Sequence, residues 1–128
     1  MVAFSERTVA VYVLDDDSSF LKSTRRLLDS VGYKVETFTD PIAFLEQAAM
    51  HRPEVAVIDI RMPEMNGLEV QTRLQMASPS TRVIILTSKN DPLVRMLAIN
   101  AGASAFFIKG AENEELLAGI KVAADSRN

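Results

Sequence analysis

Val55-Ala56-Val57-Ile58-Asp59-Ile60-Arg61-Met62-Pro63 is the stretch that decides the fold. Four apolar residues run without alternation into a carboxylate, and a turn carrying a proline follows. A strand covered by helices on both faces reads this way, whereas a half-exposed strand alternates. Working outward, the pattern recurs. Residues 9–14 run into Asp15-Asp16-Asp17, 83–86 into Thr87 and 105–108 into Lys109, and 34–38 is a fifth strand candidate. In an open parallel sheet with helical returns all strands end at one edge. Three acids, a further carboxylate, a hydroxyl and an ammonium therefore converge there, and oxygen donors beside a cation suit a divalent metal and a phosphoryl group.

Helical spacing fills the gaps between strands. Apolar residues three and four apart form the stripes Phe20, Thr24, Leu27, Val31; Ile42, Leu45, Ala49; Val70, Leu74, Ala77; Val94, Ala98, Ala101; and Leu116, Ile120, Ala123. Asp40-Pro41 and Asp91-Pro92 each place a capping acceptor before a proline at the first helical position. Gly32 and Gly102 stand where the first and fourth helices stop, and Gly119 interrupts the fifth at a cost of about 1 kcal/mol against alanine. The fold class is therefore α/β, a doubly wound five-stranded parallel sheet with five helices.

Composition narrows the function. The 128 residues form one domain, with a short tail at 1–7, the folded unit at 8–125 and a tail at 126–128. A net charge of −3 and the lack of a basic run argue against direct nucleic-acid binding. With no cysteine, thiolate chemistry is excluded. The apolar runs are strand-sized and the start lacks the core of a signal peptide, so a soluble cytoplasmic protein without membrane contact is expected.

Each polar residue has a plain reading beside the functional one. Asp15, Asp16 and Asp17 could simply cap a helix, but three adjacent acids exceed what capping needs. Facing Asp59 they would repel one another, and a hard cation such as Mg²⁺ removes that repulsion. Asp59, at the mouth of the central strand, can attack phosphorus and form an aspartyl phosphate. Lys109 alone reads as a solvated charge and Thr87 as a strand former, and they gain meaning only together with the acids. His51 reads as a group at a helix C-terminus, and Lys22, Arg25 and Arg26 as a solvated helix face that could also dock a kinase.

These residues resemble a known family, the receiver domains of bacterial two-component response regulators. The resemblance spans about 9–124. It rests on Val13-Leu14-Asp15-Asp16-Asp17, Asp59-Ile60-Arg61-Met62-Pro63-Glu64-Met65-Asn66-Gly67-Leu68-Glu69, Leu86-Thr87-Ser88, and Gly102-Ala103-Ser104-Ala105-Phe106-Phe107-Ile108-Lys109. It implies a flavodoxin-like strand order of 2-1-3-4-5 and a phosphoacceptor rather than a turnover enzyme. By position, Asp59 resembles the phosphoacceptor, and Asp15, Asp16, Asp59 and the backbone carbonyl of Arg61 the Mg²⁺ ligands. Thr87 and Lys109 resemble the phosphoryl contacts, and Thr87 with Phe106 the switch pair, where plain core packing of Phe106 is an equal reading. Arg61 and Lys89 occupy the rim positions that tune phosphoryl lifetime. The implied partners are a sensor histidine kinase and a second copy on phosphorylation, with output, including control of transcription, through another domain.

Two departures stand out. Gly110 replaces the proline that follows the lysine in many receivers, leaving the peptide isomer open. The pattern over 109–117 resembles the branch carrying LuxR-type helix-turn-helix outputs. Phenylalanine at 106 replaces a frequent tyrosine. Two other readings compete. A haloacid-dehalogenase-like phosphatase needs an acid where Arg61 stands, and a flavodoxin-like flavin binder needs a phosphate-cradling loop where three aspartates stand. A receiver-like module working without phosphorylation also remains open.

Overall fold

The structure, a computed structural model, describes residues 8–63, 65–110 and 113–125. The tails at 1–7 and 126–128, Glu64 of the long motif, and Ala111 and Glu112 of the 109–117 pattern lie outside the described residues. Along the chain run β1 (Ala10–Leu14), α1 (Ser18–Ser30), β2 (Lys34–Phe38), α2 (Pro41–His51), β3 (Val55–Asp59), α3 (Gly67–Ala77), β4 (Arg82–Thr87), α4 (Pro92–Asn100), β5 (Ala105–Ile108) and α5 (Asn113–Asp125). The strands form one parallel sheet in the order β2-β1-β3-β4-β5, as the resemblance implied.

Alternation along the central strands divides the interior into two cores. Val11 and Val13, Val55 and Val57, and Ile84 and Leu86 pack under α1 and α5, against Leu21, Leu28, Ile120 and Ala123. Tyr12 and Leu14, Ala56 and Ile58, and Val83 and Ile85 face the other way, against Phe44, Ala48, Val70, Leu74 and Ala98 of α2, α3 and α4. Both faces are covered, which is why these strands read as continuous apolar runs.

Helix starts follow the capping signals. Asp40 accepts from the backbone N–H groups of Ile42 and Ala43, and Asp91 from those of Leu93 and Val94, each ahead of its proline. Gly32 and Gly102 take φ of +96° and +106°, as stop signals require. Arg52 also turns left-handed, at φ +48°, to end α2 without a glycine.

Four expectations about packing are corrected. In α1 the buried face is Leu21, Thr24 and Leu28, while Val31 is exposed beyond the last turn. The cap at Asp17 sets the helical phase and turns Phe20 toward the sheet edge. In α2 the buried residues are Pro41, Phe44 and Ala48, and Ile42 faces solvent. Phe44 removes more apolar surface from water than either neighbour, so the helix turns that way. Gly119 is not a flaw. A Cβ there would lie 2.6 Å from the Phe107 ring, so the glycine lets α5 sit down on β5. On α4 the expected stripe buries only Ala98, and Ala101 is exposed.

Candidate functional site

Strand parity assembles the site. Val11 and Val13, Val55 and Val57, and Ala105 and Phe107 share one face of the sheet. Two residues further along come Asp15, Asp59 and Lys109, which therefore emerge on that face at the edge where the strands end. Asp15 is wholly buried and Asp59 is 4% exposed. The Lys109 ammonium lies 2.7 Å from Asp15 Oδ2 and 4.0 Å from Asp59 Oδ1. Asp15 Oδ1 accepts the backbone N–H of Asp17 at 2.9 Å. Asp17 in turn caps α1, accepting from the N–H groups of Ser19 and Phe20 at 3.0 and 3.2 Å. The third aspartate thus anchors the helix.

The electrostatics are those of crowded acids. Burial, then the negative charge of Asp15, pushes the Asp59 carboxyl up to about 6, against the pull of Lys109. Burial also raises Asp15, and the Lys109 contact only partly offsets it. For Lys109, burial lowers the pKa but the close contact with Asp15 and the negative charges of Asp15, Asp59 and Asp17 outweigh it, so the ammonium is strengthened. One contact therefore protects the lysine's charge without fully restoring the carboxylate's, because Asp15 is the more deeply buried partner and has Asp16 as a like-charged neighbour.

Asp15, Asp16 and Asp59 each offer an oxygen, and these oxygens lie within 4.8 Å of one another. Asp15 Oδ2 is buried without a hydrogen bond of regular geometry, its close neighbour being the lysine. An all-oxygen set, partly buried and short of positive charge, fits a hard divalent cation that keeps several waters. The exposed Asp16 lies on the solvent side.

Thr87 ends β4 one residue past Leu86, the register partner of Asp59, and is 2% exposed. Its Oγ1 accepts the Lys89 N–H at 3.3 Å, leaving the hydroxyl proton free to donate. The Arg61 N–H donates to the Asp59 carboxylate, while the side chains of Arg61 and Lys89 are exposed at the rim. Phe106 points away from the acids into the core under α2, α3 and α4, with the Arg95 guanidinium carbon 5.8 Å from its ring centroid.

Two contributors were not foreseen. Phe20 lies under the Lys109 ammonium, 4.6 Å from Nζ to ring centroid. Gly67 brings the start of α3 against the backbone of Asp59 and Ile60. The signal for Phe20 was its place three residues after the Asp17 cap, over the strand ends. No signal marked Gly67 beyond its motif.

The peptide between Lys109 and Gly110 is trans, as is every peptide among the described residues. Gly110 takes φ +91°, which proline cannot adopt and L-residues rarely do. No atom lies within 4 Å of a Cβ built there, so Gly110→Ala should cost about 1 kcal/mol from backbone conformation alone. Urea unfolding checks this, and an unchanged midpoint would mean the loop has another conformation.

Known proteins place this geometry in context. The family model of the response regulator receiver domain matches residues 11–121. Response regulator protein TodT of Pseudomonas putida is 36% identical over 119 residues, which is 93% of this chain and 52% of TodT. The chain spans about half the length of the curated relatives it matches. The signal receiver domain of the putative response regulator NarL from Mycobacterium tuberculosis superposes with a TM-score of 0.85 at 30% identity, covering 95% of this chain and all of that one. The beryllofluoride-activated NtrC4 receiver domain dimer gives a TM-score of 0.86 at 28% identity, covering 91% and 96%.

Proposed function

The chain belongs to the response regulator receiver family, and on that premise we propose that Asp59 accepts a phosphoryl group from a sensor histidine kinase. The observation that carries this is the buried Asp59 carboxylate beside Asp15, Asp16 and the Lys109 ammonium. An Asp59 oxygen attacks phosphorus. The bond from phosphorus to the kinase histidine nitrogen breaks, its electron pair stays on the imidazole, and the imidazole takes a proton from water. An acyl phosphate on Asp59 results.

Asp15, Asp16, Asp59 and the Arg61 carbonyl would hold Mg²⁺, which when bound would neutralise charge on the phosphoryl oxygens. Lys109 grips one phosphoryl oxygen and the Thr87 hydroxyl donates to another, while Arg61 and Lys89 screen the group from water. The phosphoryl group draws Thr87 away from the Lys89 amide, and the space it leaves is read by Phe106 on the neighbouring strand. The output is a change in pairing with a second copy and in a separate output domain, including control of transcription. Such a domain catalyses only its own phosphorylation and dephosphorylation.

Incubation with acetyl phosphate and Mg²⁺, followed by intact mass, tests the reading. One added phosphoryl group is expected, absent in Asp59→Asn and absent with chelator. Uptake that survives Asp59→Asn would overturn it.

A further inference from the structure

Lys109 is held from two sides. On one side are Asp15 Oδ2 at 2.7 Å and Asp59 Oδ1 at 4.0 Å. On the other is the face of Phe20, with the ammonium 4.6 Å from the ring centroid, inside the range where a cation is attracted to the ring's negative face. Phe20 itself is half-buried and fixed at its root, because its N–H is one of the two that Asp17 caps. Beyond the ring runs a groove of about 320 Å³, lined by Ser23, Thr24, Leu27, Gly110 and Asn113 among others. Phe20 thus both lines that groove and contacts the ammonium. A lysine carries its ammonium on a flexible four-carbon stem, so its position depends on the groups that hold it.

We propose that Phe20 is a positioning residue for Lys109, its ring holding the ammonium over the carboxylates so that it is already placed when the phosphoryl group arrives. The inference rests on the reading of Asp59 as phosphoacceptor and adds to it a residue of α1. The chain Asp17 to Phe20 to Lys109 also gives the third aspartate a part: it fixes the helix turn that carries the ring.

The test compares Phe20→Leu, which keeps most of the apolar bulk but loses the ring, with Phe20→Tyr, which keeps the ring. Two readouts are needed. The first is the chemical shift of the Lys109 ε-methylene protons, which the ring current moves upfield in wild type and in Phe20→Tyr but not in Phe20→Leu. The second is the rate of phosphoryl uptake from acetyl phosphate, expected to fall about 2- to 5-fold in Phe20→Leu and to stay at the wild-type level in Phe20→Tyr. A purely structural role would slow both variants alike, and that result, or a Lys109 shift unmoved in Phe20→Leu, overturns the proposal. If wild type takes no phosphoryl group, the phosphoacceptor reading fails, and the Lys109 shift still decides whether Phe20 holds the lysine.

Discussion

Asp59→Asn should raise the stability of the metal-free protein by about 2–3 kcal/mol at neutral pH, although it removes the proposed phosphoacceptor. The folded protein holds the Asp59 proton up to about pH 6, because burial and the Asp15 charge disfavour the carboxylate. The unfolded chain releases that proton near pH 4. The folded state therefore binds more protons between those values, and stability falls as the pH rises from about 4 to about 6. Asparagine does not titrate, keeps an acceptor for the Arg61 N–H, and escapes the loss. The gain should vanish below about pH 4, where wild type is protonated in both states. Urea unfolding from pH 4 to 8 in the presence of chelator reads the effect. A variant less stable than wild type at pH 7, or a difference that ignores pH, would show that the acids are not in mutual strain. Mg²⁺ should close the gap by stabilising wild type more than the variant, since binding to the folded state alone raises stability by mass action.

The same strain explains why this site was readable from one dimension. Asp15, Asp59, Thr87 and Lys109 are each a polar residue at or just past the end of an apolar strand, and parallel strands deliver their ends to one edge. Strand order needed the family resemblance, because nothing local to a βα unit says which neighbour its strand will choose. Helix phase was less legible. Around α2, Ile42, Phe44, Leu45 and Ala49 are apolar, so more than one stripe satisfies helical spacing, and only the depth of the pocket that receives Phe44 decides. Phe20 packs against the core as its helical spacing suggested, but its second part, under the Lys109 ammonium, shows only once the lysine above it is in place. Gly119 looked like a defect because its justification, the Phe107 ring, sits on a different element.

Gly67→Ala should cost about 3 kcal/mol or more and should cut phosphoryl uptake as well. A Cβ on Gly67 would stand 2.6 Å from the Asp59 carbonyl oxygen and 2.7 Å from the Ile60 Cα. Both are backbone atoms of the strand end that carries the proposed phosphoacceptor, and the Gly67 N–H is bonded to the Ile60 carbonyl at 2.9 Å. The start of α3 cannot back away without breaking that bond, nor can β3 yield without moving Asp59. Gly119→Ala is the instructive contrast, since its 2.6 Å neighbour is the outer edge of the Phe107 ring, which can turn. There the helical preference for alanine, worth about 1 kcal/mol, offsets part of the crowding. Calorimetry should rank Gly67→Ala well below Gly119→Ala in stability, and only the former should lose acetyl phosphate reactivity out of proportion to the fraction unfolded. Equal stabilities for the two variants, with normal uptake in both, would mean that the close approach of α3 to Asp59 does not set the site's geometry.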